Sequence, residues 1–238
     1  MNIALIGYGR MGHEIEEMAV RRGHTVRLVI DIDNKHDFNE HKFAGIDAVI
    51  EFTVPESALG NITKCLNMKK PVVSGTTGWL TDYNKAVEVC SLNSTSFIHS
   101  SNFSVGVNIM FRLNSELAAI MDKLNEYNVS VEEIHHTRKL DSPSGTAITL
   151  AEGIIKRNKK FTGWTTPEKP AANKLNITSV REGNVPGTHT VEWDSEIDKI
   201  SIRHEAKGRK GFALGAVLAA EYISTRRGVF TMNDVLGF

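Results

Sequence analysis

Cysteine is scarce in this chain of 238 residues, and neither sign of charge predominates. Its two cysteines, Cys65 and Cys90, are too few for a disulfide framework or a structural zinc site, so we expect buried, reduced thiols. Lys+Arg and Asp+Glu number 28 each, which gives a formal net charge of 0. A protein whose main role is to bind nucleic acid usually has more basic than acidic residues, so no nucleic-acid partner is expected.

Long hydrophobic runs are absent as well. The most apolar stretch, residues 212–220, is far shorter than the roughly 20 residues needed to cross a bilayer. The segment from Met1 to Gly7 lacks the basic region of a signal peptide and soon becomes glycine-rich, which is typical of a first strand. These absences predict a cytoplasmic protein with no membrane partner.

The chain does contain an alternation of short apolar runs with helical segments. Strands are predicted at Asn2–Ile6, Thr25–Ile30, 47–52, 71–74 and Ser96–His99, with helices at 13–22, 55–68 and 81–91. Such alternation indicates βαβ units and a parallel sheet.

The pattern changes near residue 105. A long helix (105–124), an alternating strand (Asn128–His135) and a second helix (146–157) are followed by three strand-like runs, 176–181, 188–193 and 199–204. These runs are predicted to be antiparallel and half-exposed, before a last helix at 212–225. The sequence therefore predicts an α/β protein. Its Rossmann-type parallel-sheet domain comprises residues 1–104 and 213–238, and a mixed α+β domain for substrate binding and oligomerisation is inserted at 105–212.

A glycine motif follows the first strand and opens the first helix. It reads Gly7-Tyr8-Gly9-Arg10-Met11-Gly12, and Asp31 ends the second strand. Glycines in this pattern permit a tight turn, close approach of a pyrophosphate and close packing of the helix, while the acid binds the adenosine ribose. The alternative is an ordinary α/β turn with Asp31 as a loop residue. Because all the elements occur in order, the dinucleotide interpretation is favoured.

Two further loops follow predicted strands, at the edge of the sheet where ligands of parallel sheets bind. One contains Gly75, Thr76 and Thr77, which could border a nicotinamide or form a plain turn. The other contains Ser100, Ser101, Asn102 and Phe103. Asn102 could bond a carboxamide or simply cap the next helix.

The most informative run extends from Glu133 to Ala147 and holds two imidazoles and a lysine. Lys139 and His136 supply donors for an anionic substrate, and a helix start with Ser144 as its cap exposes the amides of Gly145 and Thr146. An imidazole is the side chain suited to proton transfer near neutral pH, so His135 could deliver a proton. Neighbouring strand residues point to opposite faces, so His135 and His136 share a site only if the strand ends there. The alternative is a polar turn with surface histidines. No metal is expected, since no carboxylate or cysteine sits at a ligand spacing.

With these residues in view, the chain resembles the 4-hydroxy-tetrahydrodipicolinate reductases, also called dihydrodipicolinate reductases, along nearly its whole length. The run His-His-x-x-Lys-x-Asp-x-Pro-Ser-Gly-Thr-Ala carries the resemblance most specifically, and 102–106 and 204–216 add to it. Departures are few: the glycine turn is one residue shorter than in many members, and Glu51 stands where aspartate is common.

The resemblance implies an NAD(P)H-dependent oxidoreductase, acting on a CH–CH bond, that makes tetrahydrodipicolinate with release of water in lysine and diaminopimelate biosynthesis. It implies a homotetramer and a small dicarboxylate substrate. His135 matches the proton donor or acceptor and Lys139 a second proton donor. Substrate contacts match His136, Gly145 and Thr146. Cofactor contacts match residues 7–12, Asp31, 75–77 and 100–103.

The residues at the end of the second strand indicate whether NADH or NADPH is preferred. Asp31 would accept hydrogen bonds from the ribose diol and repel a 2′-phosphate. Ile32 stands where many relatives have an arginine, and Lys35, His36 and Arg10 are the nearby cations. We therefore expect NADH to be preferred and NADPH to be usable.

Two other functions remain open from the residues. One is another small NAD-dependent oxidoreductase with an inserted domain, such as an amino-acid dehydrogenase. The other is a nucleotide-binding protein of the same fold without chemistry, which would not need His135 and Lys139.

Overall fold

Helices and strands alternate along most of the chain. The computed structural model describes residues 1–169 and 171–238. In chain order the elements are β1 (Asn2–Ile6), α1 (Arg10–Arg21), β2 (Thr25–Ile30), α2 (Glu40–Phe43), β3 (Ala48–Glu51), α3 (Pro55–Asn67), β4 (Val72–Ser74), α4 (Tyr83–Leu92), β5 (Ser96–His99), α5 (Val105–Met121), β6 (Asn128–His135), α6 (Gly145–Arg157), β7 (Trp164–Thr165), β8 (Leu175–Arg181), β9 (Thr188–Asp194), β10 (Lys199–Glu205), α7 (Lys210–Ile223), β11 (Gly228–Phe230) and α8 (Met232–Leu236).

The chain divides into two units. The first comprises Met1–Val105 and Arg209–Phe238, and the second comprises Gly106–Gly208. The sequence predicts the return to the first unit at residue 213, but α7 already begins at Lys210. The polar residues before the apolar run form the first turn of that helix, which apolar periodicity alone could not reveal.

The first unit is built on a parallel sheet with the strand order β11-β5-β4-β3-β1-β2. Side chains of β1 alternate between its faces, so Ile3 and Leu5 pack with α1 and α7 while Ala4 and Ile6 pack with α3 and α4. The predicted Rossmann-type sheet is confirmed. Strand β11 and helix α8 were not predicted, because each is too short to show a periodicity.

The second unit holds a mixed sheet with the order β10-β9-β6-β8-β7. Strand β9 is antiparallel to both β6 and β10, as predicted. Strand β8 is parallel to β6, so the prediction of an antiparallel run at 176–181 is wrong. The chain leaves β6 and passes through α6 before it returns in β8, and such a crossover joins parallel strands. Residues of α6 cover one face of the sheet, packing on Val131, Ile177 and Trp193.

Every helix within residues 1–169 and 171–238 is too short or too polar to cross a bilayer. Both cysteines are free and buried.

A carboxylate on α7 links the end of α1 to the rest of the first unit. Glu221 accepts two hydrogen bonds from Arg22, at 2.7 and 2.8 Å, and lies 2.6 Å from His24 Nε2. The Arg22 guanidinium, assisted by His24, holds the pKa of Glu221 below its usual range. A depressed pKa stabilises the fold above the unfolded-state pKa near 4.3, and this contribution is lost as the pH falls.

We therefore expect Glu221→Gln to lower the free energy of unfolding by about 1 kcal/mol at pH 7. The difference from the wild type should shrink as the pH falls below about 4, where Glu221 becomes protonated. Urea unfolding at a series of pH values measures both quantities, and a difference that is independent of pH would refute the ion-pair explanation.

Candidate active site

A cleft of about 640 Å³ in the first unit lies at the carboxyl ends of β1, β2 and β3. Four of the predicted cofactor contacts line it: Gly7, Tyr8, Gly9 and Asp31. The other predicted cofactor contacts are not part of its lining: Arg10, Met11, Gly12, Gly75, Thr76, Thr77, Ser100, Ser101, Asn102 and Phe103. Ligands of parallel sheets bind at this edge, so the position suits a nucleotide.

The glycine turn has the geometry that a dinucleotide requires. Gly7 has φ +89°, and a Cβ there would lie 2.0 Å from the carbonyl oxygen of Phe52. A Cβ on Gly12 would lie 2.6 Å from the carbonyl oxygen of Gly7, so the helix packs directly on the turn. Gly9 begins α1 without a side-chain cap, and nothing lies within 4 Å of the place its Cβ would occupy. A phosphate group fits at such an open helix start.

The acid after β2 lies beside two lysines. Asp31 is exposed, and its Oδ1 accepts a hydrogen bond from the Ile32 amide at 2.9 Å. Lys35 and Lys64 line the same cleft, and Lys64 Nζ lies 4.3 Å from the ring centroid of Phe38. Lys64 was not predicted, because it lies on α3, far along the chain from the glycine motif.

The loop after β4 is anchored by a buried carboxylate. Glu51 Oε1 accepts a hydrogen bond from the Thr76 hydroxyl at 2.8 Å, and Oε2 accepts one from Ser74 at 2.7 Å. Burial raises the pKa of Glu51, against the opposing effect of hydrogen bonds led by Thr53. Thr76 is therefore a buried anchor of this loop, whereas Thr77 is exposed.

The loop after β5 is held by its own side chains. Ser100 Oγ donates to the Asn102 carbonyl at 2.8 Å, and Asn102 Oδ1 accepts from the Ser104 amide at 2.9 Å, just before α5. The Asn102 side chain thus closes a turn immediately before the first residue of α5. Phe103 lies in the core, where its ring centroid is 6.0 Å from that of Phe52.

In the second unit, a polar cluster forms where β6 ends. Alternation along this strand places Glu133 and His135 on the same face as the core residues Val129 and Val131. Glu133 is 0% exposed and His135 is 7% exposed. In the sheet, His189 of β9 lies directly opposite Glu133. The core face of the sheet thus ends in a buried group of ionisable side chains.

Glu133 is the centre of this cluster. Its Oε1 accepts hydrogen bonds from the Ser144 amide at 3.0 Å and from Arg181 at 3.1 Å. Its Oε2 lies 3.3 Å from His135 Nδ1 and 3.8 Å from His189 Nε2. Burial on its own raises the pKa of Glu133, but the nearby His135 ring and the hydrogen bonds of Ser144 outweigh it and hold the pKa well below the usual range. Glu133 is therefore a carboxylate at neutral pH.

His189 is neutral at physiological pH, since burial, aided by the nearby His135, lowers its pKa to about 4. Its ring stands edge-on to that of His135 at 5.0 Å, and its Nε2 lies 3.3 Å from the Ser144 hydroxyl. Gly187 passes close to the other nitrogen of His135, where a Cβ would lie 3.0 Å from Nε2. The glycine leaves room beside the nitrogen that faces away from Glu133.

The predicted substrate residues border this cluster. Ser144 caps α6 through a hydrogen bond from the Ala147 amide at 3.2 Å, as predicted, and leaves Gly145 exposed and Thr146 half-buried at the helix start. Lys139 Nζ lies 2.8 Å from Asp141 Oδ1. Strand β6 ends at His135, so His136 already lies in the following turn.

The cluster corrects one argument from the sequence. The carboxylate of Glu133 lies close to the imidazoles of His135 and His189. These three side chains each place a possible ligand atom within 4.8 Å of the others. The expectation that no carboxylate sits at a ligand spacing is therefore wrong. The guanidinium of Arg181 on the same carboxylate already supplies the positive charge that a cation would bring.

A nucleotide cleft in a Rossmann-type unit, together with a buried acid–base cluster at a helix start, defines a pyridine-nucleotide-dependent oxidoreductase. The family model for the N-terminus of dihydrodipicolinate reductase matches residues 1–103, and that for its C-terminus matches residues 106–236. The chain belongs to the dihydrodipicolinate reductase family. It is an oxidoreductase of lysine and diaminopimelate biosynthesis, as the sequence predicts.

Relatives with similar sequences support the assignment to this family. The chain is 54% identical to 4-hydroxy-tetrahydrodipicolinate reductase of Christiangramia forsetii, over 99% of this chain and 98% of that protein. It is 34% identical to the protein of the same name from Neisseria meningitidis, over 93% of this chain and 84% of that protein.

Solved structures show the same fold. A dihydrodipicolinate reductase from Paenisporosarcina sp., solved with dipicolinate bound, has a TM-score of 0.81 at 20% identity and matches 97% of each chain. A probable dehydrogenase from Thermotoga maritima has a TM-score of 0.59 at 11% identity, covering 99% of this chain and 92% of that one.

Proposed function

We propose that this reductase converts 4-hydroxy-tetrahydrodipicolinate to tetrahydrodipicolinate with release of water, using NADH in preference to NADPH. One observation carries the proposal. The family's His-His-x-x-Lys run begins in a buried Glu133–His135–His189 cluster beside the open start of α6. Such a site supplies both a proton-transfer group and donors for an anionic substrate.

The substrate is a partly saturated six-membered ring with two carboxylates, and groups of the second unit can hold each carboxylate. Amides at Gly145 and Thr146 begin a helix whose dipole favours an anion. His136 and Lys139 add donors for the carboxylates. The dipicolinate bound in the Paenisporosarcina relative is a planar dianion with its two carboxylates in the corresponding ring positions.

The reaction requires a hydride and a proton. Loss of water from C4 leaves a conjugated imine, and when bound the reduced nicotinamide supplies a hydride to C4. The resulting enamine takes a proton on the neighbouring carbon from His135 or Lys139. His135 exchanges that proton at Nε2, the nitrogen beside Gly187. The positive groups on the two carboxylates stabilise the electron-rich intermediate.

Cofactor preference follows from the charges around the first-unit cleft. Asp31 accepts hydrogen bonds from the ribose diol and repels a 2′-phosphate, while Lys35 and Lys64 can attract one. Both lysines are exposed, so their attraction is screened by salt.

We expect kcat/KM to be higher with NADH, and to fall more steeply with added salt for NADPH. The double variant Lys35→Ala/Lys64→Ala should weaken NADPH use several-fold and leave NADH use nearly unchanged. Lys85→Ala is the matched control, because Lys85 pairs with Asp82 on the surface and does not line the cleft. A clear preference for NADPH at physiological ionic strength would contradict the assignment of Asp31.

On the family resemblance we also propose a cytoplasmic homotetramer that associates through the second unit. The sheet face of that unit opposite α6 is polar and exposed at Glu132 and Asn176, which leaves it available for a second copy. Sedimentation should give four times the 26.3 kDa of one chain, and a monomer would refute the proposal.

The proposed reaction is tested by NADH oxidation with freshly made product of dihydrodipicolinate synthase. Rapid oxidation that requires this product is expected, with inhibition by pyridine-2,6-dicarboxylate. Oxidation with an amino acid's keto acid and ammonia instead would indicate the amino-acid dehydrogenase alternative. Nucleotide binding without turnover of either substrate would indicate a binding protein.

A further inference from the structure

We propose that Glu133 is a positioning residue for the reaction, which fixes the proton of His135 on Nδ1 and joins that imidazole to the start of α6. The inference rests on the proposed function and goes beyond it, because it assigns a role to a carboxylate that need not touch the substrate.

The two oxygens of Glu133 face different groups. Oε1 is occupied by structural donors, the Ser144 amide and Arg181, at 3.0 and 3.1 Å. Oε2 faces the two imidazoles and has no well-aligned hydrogen-bond donor within residues 1–169 and 171–238. A buried carboxylate oxygen without a strong donor is costly, so a functional reason is needed to keep it there.

A role in orienting His135 explains why Oε2 of Glu133 is kept without a strong donor. Its Nδ1 lies 3.3 Å from Oε2, a contact that is long and poorly aligned, and such contacts commonly tighten when a substrate binds. A carboxylate only accepts hydrogen bonds, so it selects the imidazole form with the proton on Nδ1. Nε2, beside Gly187, is then the nitrogen that takes up a proton from solvent and passes it to the enamine carbon, while Nδ1 keeps its own proton.

The neighbouring charged groups leave Glu133 as the partner of Nδ1. His189, from β9, is neutral and already lies 3.3 Å from the Ser144 hydroxyl. Arg181, from β8, is hydrogen-bonded to Glu133 Oε1 and to the Asp141 carbonyl. Lys139 is paired with Asp141 in the turn after β6, and His204 of β10 lies opposite His189.

The same carboxylate also ties two parts of the site together. Ser144 caps α6 and donates its amide to Oε1, so the proton-transfer group and the helix start share one anchor. A displacement of either part by about 1 Å can cost on the order of 10²-fold in rate.

Glu133→Gln separates the two roles. Arg181 and the Ser144 amide keep the oxygen of glutamine in the place of Oε1, so its NH₂ group must face His135. That donor would force Nδ1 to become an acceptor and move the proton to Nε2. In a hydrolase triad, the analogous replacement of an acid by its amide selects the wrong tautomer and costs about 10⁴ in kcat.

We expect Glu133→Gln to lower kcat at least about 100-fold, while KM for the substrate and the affinity for pyridine-2,6-dicarboxylate change less than about threefold. Glu152→Gln is the matched control, because Glu152 is exposed on α6, away from its start, and should behave as the wild type. In a His135→Asn background, Glu133→Gln should have little further effect, since the carboxylate acts through that imidazole.

Equal losses in kcat and dicarboxylate affinity, or additive losses in the double variant, would overturn the proposal in favour of a structural role. ¹⁵N NMR of histidine-labelled wild-type protein tests the tautomer even if the variant does not fold. His135, assigned by comparison with His135→Asn, should carry its proton on Nδ1, and a proton on Nε2 alone would overturn the inference. A wild-type enzyme without reductase activity would refute the proposed function instead.

Discussion

Replacing His135 by alanine is expected to lower kcat by roughly 10²–10⁴-fold and to change KM much less. The imidazole donates a proton in the transition state, and it is held for that purpose beside Glu133 and Gly187. Steady-state kinetics with NADH and the synthase product measure both parameters.

His136→Ala is the paired variant and should act mainly on KM. His136 lies half-buried in the turn after β6, where it can contact a carboxylate but lacks the buried acid that orients His135. Circular dichroism and dicarboxylate binding should first establish that both variants are folded. An unchanged kcat in a folded His135 variant would refute its assignment.

The second large effect is expected at the glycine turn. Gly7→Ala combines a left-handed backbone at φ +89° with a Cβ placed 2.0 Å from the Phe52 carbonyl. Backbone strain costs roughly 1–3 kcal/mol and overpacking a similar amount, so we expect the free energy of unfolding to fall by about 2–6 kcal/mol. Nucleotide binding should be lost as well.

Gly9→Ala separates stability from binding. Nothing lies within 4 Å of its Cβ position, so the variant should unfold at nearly the wild-type temperature. The added methyl group would stand where the pyrophosphate approaches the helix start, and NADH affinity should fall at least about 10-fold. Calorimetric titration and thermal unfolding of both variants check the pair. Wild-type NADH affinity in Gly9→Ala would place the phosphates elsewhere.

Local patterns in the sequence predicted much of the fold. Short apolar runs predicted β1, β2 and β5 with the bounds that the structure has. Strands β1 and β5 are buried on both faces, so apolar residues make up most of β1 and the centre of β5. The direction of β8 could not be predicted from its own residues. It depends on the route of the chain through α6, which alternation within a seven-residue strand does not record.

The candidate site could be predicted only in part, because some of its features are local and others depend on contacts between distant segments. The cap at Ser144 and the helix start are local features and are present as expected. The position of Glu133 in the site could be predicted from the sequence, since it stands two residues before His135 and therefore on the same face of β6. His189 was not, because only the register between β6 and β9 brings it opposite Glu133.

Among the nucleotide contacts too, local features could be predicted from the sequence and contacts between distant segments could not. The glycine turn and Asp31 are local signals, and the cleft brings them together. Thr76 was predicted from its place after a strand, but its hydroxyl is bonded to Glu51 of the neighbouring strand. Lys64 comes from α3, and no spacing in the sequence indicates that it lies beside Asp31.

The central claim is that a hydride from the nicotinamide and a proton from the His135 cluster are added to neighbouring carbons of one dicarboxylate ring. The most direct test is the position of the label after turnover with NADH carrying deuterium at the transferable C4 position. NMR of the product should show that deuterium at C4 of tetrahydrodipicolinate. Deuterium at another ring carbon, or none in the product, would contradict the account.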